Sequence, residues 1–139
     1  MVDFIEAFKQ GQLAAERVKN NNQEIDYVFK RLNEQLAQAT EGKIQLNIEE
    51  IEDLSKQPYV TNNGEPIWPV DYLAICADHK ELARWEKGRE GYPCKITIGN
   101  KQHYCEDKTE LEQTLALMLQ DPIVAETLAS LMRLSTNQQ

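Results

Sequence analysis

No apolar run in this 139-residue chain approaches the ~20 residues that a membrane-spanning helix needs. The apolar residues that lead the chain do not form a secretory signal. Asp3 and Glu6 stand where positive charge belongs, and no apolar core segment follows them. Cysteine is scarce and odd in number, at three, which predicts free thiols in a reducing, cytoplasmic compartment. Basic residues are in deficit. Fifteen Lys and Arg face 23 Asp and Glu, for a formal net charge of −8. Phosphate contacts dominate nucleic-acid affinity, so this balance argues against a general nucleic-acid binder and leaves room for a basic protein partner or for mimicry of nucleic acid. There is no internal repeat, no Gly-rich phosphate loop and no nucleophile elbow, so no cofactor is expected.

What the chain does have is enough apolar residues for a core, at 41%, and an organised first forty residues. A heptad laid on residues 1–40 puts Phe8, Ala15, Asn22, Phe29 and Leu36 at one seam position. The other takes Phe4, Gly11, Val18, Ile25, Leu32 and Ala39. No proline interrupts the run. Two structures satisfy this pattern. One is a continuous helix about 60 Å long at 1.5 Å per residue, too long for the rest of the chain to cover. The other is a helical hairpin broken at Asn20-Asn21-Asn22, where Asn21 and Glu24 form a capping-box pattern. The continuous helix implies a second chain. Its expected homodimer interface is Phe8, Val18, Asn22, Ile25, Phe29, Leu32 and Leu36, with parallel helices and Asn22 as the polar seam residue that fixes register.

The predicted organisation is therefore α+β: a helical oligomerisation element over 1–41, an α+β domain over 42–134 with a small, mainly antiparallel sheet and C-terminal helices, and a disordered tail over 135–139. Within the domain, Ile44, Leu46 and Ile48 alternate as a strand over 43–48, and a capping-box pattern at Asn47 and Glu50 predicts a helix over 48–56. Asn63-Gly64 marks a turn between Tyr59-Val60 and Ile67-Trp68. Tyr59 and Trp68 are expected on the core; if exposed, they become the best binding anchors. Residues 72–77 fit a buried strand or the first turns of a helix. Asp78 with Glu81 predicts a helix over 79–87, stopped by Gly88. Gly99-Asn100 centres a hairpin over 91–105 that pairs Ile98 with Lys101, Ile96 with His103 and Cys94 with Cys105. Cys94, Ile96, Ile98, His103 and Cys105 then share the core face. Asp107 caps the next helix, and Asp121-Pro122 starts the last.

Each chemical candidate has a plain structural counterpart. Cys76-x-x-His79 with His103-x-Cys105 offers four soft ligands, but the spacing is not that of a zinc finger or ribbon, and no metal is expected. Cys94 and Cys105 fall on a hydrogen-bonded cross-strand pair, about 5.5 Å apart at Cα, close enough to bridge as a redox pair. Lys80, Arg84 and Lys87 would form one basic stripe on a helix. Acids gather at Glu49, Glu50, Glu52 and Asp53, and again at Glu106, Asp107, Glu110 and Glu112. These sets are the candidate contacts for a basic partner. The expected function is a non-enzymatic, homodimeric interaction module, in general character like small acidic bacterial proteins that neutralise a toxin or a defence enzyme. The alternatives are a small Cys/His-dependent enzyme or metal or redox sensor, and a nucleic-acid-associated regulator using the basic stripe.

Overall fold

A computed structural model of the chain describes residues 1–137. The first element, α1 (Phe4–Thr40), is one unbroken helix of 37 residues, so the hairpin alternative does not apply. The Asp3 side chain caps it, accepting hydrogen bonds from the Ile5 and Glu6 amides at 3.1 Å. It ends where Glu41 and Gly42 both turn left-handed and the Gly42 amide bonds back to the Ala37 carbonyl at 2.9 Å.

Among the described residues seven strands follow: β1 (Leu46–Glu52), β2 (Tyr59–Val60), β3 (Pro66–Ile67), β4 (Val70–Ala77), β5 (Lys80–Gly88), β6 (Gly91–Ile98) and β7 (Lys101–Cys105). β2 and β3 make a small separate hairpin, and the other five form an antiparallel sheet in the order β1-β4-β5-β6-β7. Two helices, α2 (Lys108–Gln120) and α3 (Pro122–Asn137), complete the α+β fold.

Two sequence expectations fail inside the sheet. Residues 48–52 of the helix expected over 48–56 are strand, the greater part of β1, which pairs with β4 from Leu46↔Ala77 to Glu52↔Val70, and 53–56 are turn and loop. The helix expected over 79–87 is β5. Its start is a two-residue turn at Asp78 and His79, both with positive φ (48° and 66°). Asp and His are among the non-glycine residues that tolerate this region. The capping-box pattern at Asp78 and Glu81 is thus a turn followed by the second residue of a strand. In both places residues of good helix propensity are overridden by cross-strand pairing, β5 being flanked on both sides. The predicted basic helical stripe of Lys80, Arg84 and Lys87 disappears with that helix.

The 91–105 hairpin forms in the expected register, with Cys94↔Cys105, Ile96↔His103 and Ile98↔Lys101. α2 begins at Asp107, whose carboxylate accepts from the Glu110 amide at 2.9 Å, and Asp121 caps α3 in the same way. Helix α3 runs through Ser135, where a tail was expected; Gln138 and Gln139 lie outside the described residues.

All three helices pack on one face of the sheet. Ile25 and Val28 from α1, Leu111, Leu115 and Met118 from α2, and Val124 and Leu131 from α3 meet Ile75, Ala83, Trp85, Cys94, Ile96 and Cys105 in one core. Among the described residues, no single helix is long and apolar enough to cross a membrane.

Candidate interaction surfaces

The two halves of α1 have different surroundings. From Asn21 onward the helix is docked. Ile25 is 2% exposed, Phe29 packs edge-on against Trp85 with ring centroids 5.2 Å apart, and Leu32 and Leu36 lie against the core. Polar contacts fix the docking at both ends. Asn21 donates to the Glu90 carbonyl at 3.0 Å, in the β5–β6 turn. Tyr92 donates to Glu24 at 2.8 Å; burial and this carboxylate raise its phenol pKa. Farther along, Asn33 donates to the Leu46 carbonyl and accepts from the Leu46 amide, at 2.9 and 2.8 Å. The helix and hairpin approach so closely that a Cβ on Gly91 would lie 2.8 Å from that of Asn21. The Asn run therefore serves as a docking joint, and the helix passes through it. Asn22 lies at the joint with its Oδ1 buried and, among the described residues, without a hydrogen-bond partner.

Five residues of the expected dimer seam, Asn22, Ile25, Phe29, Leu32 and Leu36, are therefore covered within the chain. The heptad correctly found an apolar face but could not say what covers it. Val28 and Asn33 were missed. Val28 flanks the seam, and an amide inside a helix gives no signal of a backbone contact 13 residues away.

Upstream of the joint the same face is bare. Phe4 is 78% exposed and Phe8 68%, and Ile5 beside them is exposed as well. Val18 is half-buried at the edge of an open notch of about 640 Å³ between the helix and the β5–β6 turn. A second exposed apolar set lies on the β2–β3 hairpin. Tyr59, expected on the core, is 72% exposed and Val60 71%; Ile67 is exposed beside them, while Trp68 is half-buried.

The two acidic sets sit at opposite edges of the sheet. Pairing registers align Glu50, Leu73, Trp85, Ile96 and His103 in one row from β1 to β7. Four strand spacings, about 19 Å, separate the ends of that row. On the β1 edge, Glu50 and Glu52 are exposed, Glu49 contacts His79 Nδ1 at 2.7 Å, and the Ser55 hydroxyl and amide hold the Asp53 carboxyl below its ordinary pKa. The Asp53 amide bonds to the Pro69 carbonyl at 2.7 Å, which ties this acidic edge to the end of the β2–β3 hairpin. On the other edge, Asp107 is occupied as a cap and Glu112 lies 3.9 Å from Lys108, while Glu106 is exposed and Glu110 half-buried.

The cysteines are buried free thiols. Cys94 and Cys105 are opposed across β6 and β7, on the core face. Cys94 donates to the Gly91 carbonyl and Cys105 to Thr114 Oγ1, both at 3.4 Å. Burial pushes the Cys94 thiol up to about 12 and raises Cys105 as well. Cys76 follows the core residue Ile75 and faces the opposite side, near Glu49 and Glu81; burial first and those carboxylates second push it to about 11. Thiols held protonated in this way are poor nucleophiles. Among the described residues, no group of three or more His, Cys, Asp or Glu side chains could hold a metal ion. Arg84 lies on the polar face of the sheet, 3.8 Å above the Tyr72 ring.

No protein-family model, curated protein or solved structure matches the chain.

Proposed function

We propose that this protein is an interaction module that carries out no chemical step: a homodimer, joined through the projecting half of α1, that binds and neutralises a partner protein with a basic surface. The observation that carries the reading is the apolar face of α1, continuous with the core seam yet bare at Phe4, Phe8, Gly11 and Ala15. Exposed apolar stretches of this kind on ordered elements mark protein contacts.

The partner-facing surface in this reading is the β2–β3 hairpin with the β1 edge beside it. Tyr59, Val60 and Ile67 supply apolar anchors, and Glu50, Glu52 and Asp53 supply an acidic rim. The same charges keep other strands off the open edge of β1. Glu106 and Glu110, beyond the β7 edge on the far side of the sheet, form a second acidic contact.

The test is affinity capture from the native host at low and high salt, repeated with Tyr59→Ala and Glu52→Lys. The reading expects one partner that is retained at low salt and lost with either substitution. Failure to retain any partner, together with turnover of a small substrate that disappears on Cys76→Ser or His79→Ala, would replace it with an enzyme.

A further inference from the structure

The bare stretch of α1 is asymmetric along its length. Its first half carries large residues on the seam, Phe4 and Phe8. Its second half carries small ones, Gly11 and Ala15, with Ala14 beside them. Beside the small half lies the 640 Å³ notch, lined by Ala14, Ala15, Val18, Arg89, Glu90, Tyr92 and Pro93. A parallel partner would set large against large and small against small, leaving the notches unfilled.

We infer that the occupant of this face is a second copy of the chain with its α1 running antiparallel, Phe8 over the partner's Gly11 and Phe4 over the partner's Ala15, filling the partner's notch. This rests on the homodimer proposed above and replaces the parallel pairing that the heptad alone suggests.

The geometry supports it in three ways. In an antiparallel pair each layer joins one seam position to the other, and these two layers both put a phenylalanine on a small residue. The flanking Ala7 and Ala14 face each other across the pair and let the helix backbones approach. The contacts that dock the domain on its own helix begin at Asn21, beyond the level of the partner's Phe4, so at that level the partner's helix meets only the notch wall formed by the β5–β6 turn. Charge is consistent. Asp3 and Glu6 outnumber Lys9 in the first half of the stretch, whereas Arg17 and Lys19 outnumber Glu16 at the other end. Opposed helix dipoles add to the preference.

Gly11→Leu distinguishes the orientations. A Cβ at Gly11 meets nothing within 4 Å among the described residues of its own chain, so the variant should fold as before. In the antiparallel pair it occupies the space of the partner's Phe8 and weakens the dimer about tenfold or more. In a parallel pair it improves the seam and tightens the dimer, which would overturn the inference. Disulfide trapping is the second readout, with oxidised wild type as the control for the native thiols. Phe4→Cys and Ala15→Cys should each give no covalent dimer alone but should link when mixed. Self-linking of Phe4→Cys, or no link in any sample while the dimer persists, overturns the orientation alone. A monomeric wild type removes the dimer itself.

Discussion

Residues 4–20 and 21–40 of α1 belong to one helix and one seam, yet only the second half is covered. The docked half has three means of attachment: apolar burial at Ile25, Val28 and Phe29, side-chain hydrogen bonds from Asn21 and Asn33, and the close approach at Gly91. The projecting half has the apolar residues alone. A heptad reports that a face is apolar. Whether the cover is a sheet of the same chain or a second molecule depends on where the chain returns, and that information lies some seventy residues downstream, in the β5–β6 turn.

The sharpest way to break this comparison is the same substitution in each half. Ile25→Asp puts an unpaired charge into the core and should cost on the order of 5 kcal/mol, comparable with the whole stability of a small domain. Phe8→Asp should change the stability of the monomer by no more than about 0.5 kcal/mol, as exposed substitutions do, while abolishing self-association. Denaturant unfolding below the dimer dissociation concentration checks both; equal losses would mean that the two halves do not differ as described.

Next in size is the joint. Gly91 has φ +92 and no room for a Cβ, so Gly91→Ala should cost about 2 kcal/mol or more and loosen the hairpin from the helix. Tyr92→Phe removes only the hydrogen bond to Glu24 and should cost about 1 kcal/mol. If Gly91→Ala proved neutral in thermal unfolding, the docking joint would not be the close contact described.

The smallest effect concerns His79. The Glu49 carboxylate raises its pKa by hydrogen bonding and by charge. Because the folded value is raised, the contact helps stability below the unfolded histidine pKa, and that help fades as pH rises through the folded value. At so exposed a site the change in stability should be close to nil, so the readout is NMR titration. His79 should titrate above its ordinary value and return toward it in Glu49→Gln. No difference between the two proteins would remove the ion pair.

Legibility in the sequence followed how local the determining interactions are. The 91–105 hairpin was readable because Gly99-Asn100 fixes the register and the alternation of Cys94, Ile96 and Ile98 fixes the face. The helices at Asp107 and Asp121 were readable from their caps. β1 and β5 were read as helices over much of their length because capping-box spacing also occurs at turns and strand starts, and only pairing to β4 decides between them. At the candidate site, the apolar seam and the acidic sets were legible. The exposure of Tyr59, the turn at Asp78-His79 and the separation of the acidic sets onto two sheet edges were not, since each depends on strand order.

Light scattering of the wild-type protein and of Phe8→Asp, at micromolar concentration, tests most directly whether a second copy covers the projecting half of α1. The account predicts a wild-type mass of twice 16.0 kDa and 16.0 kDa for the variant. A wild-type mass of 16.0 kDa, or an unchanged dimer in Phe8→Asp, would contradict it.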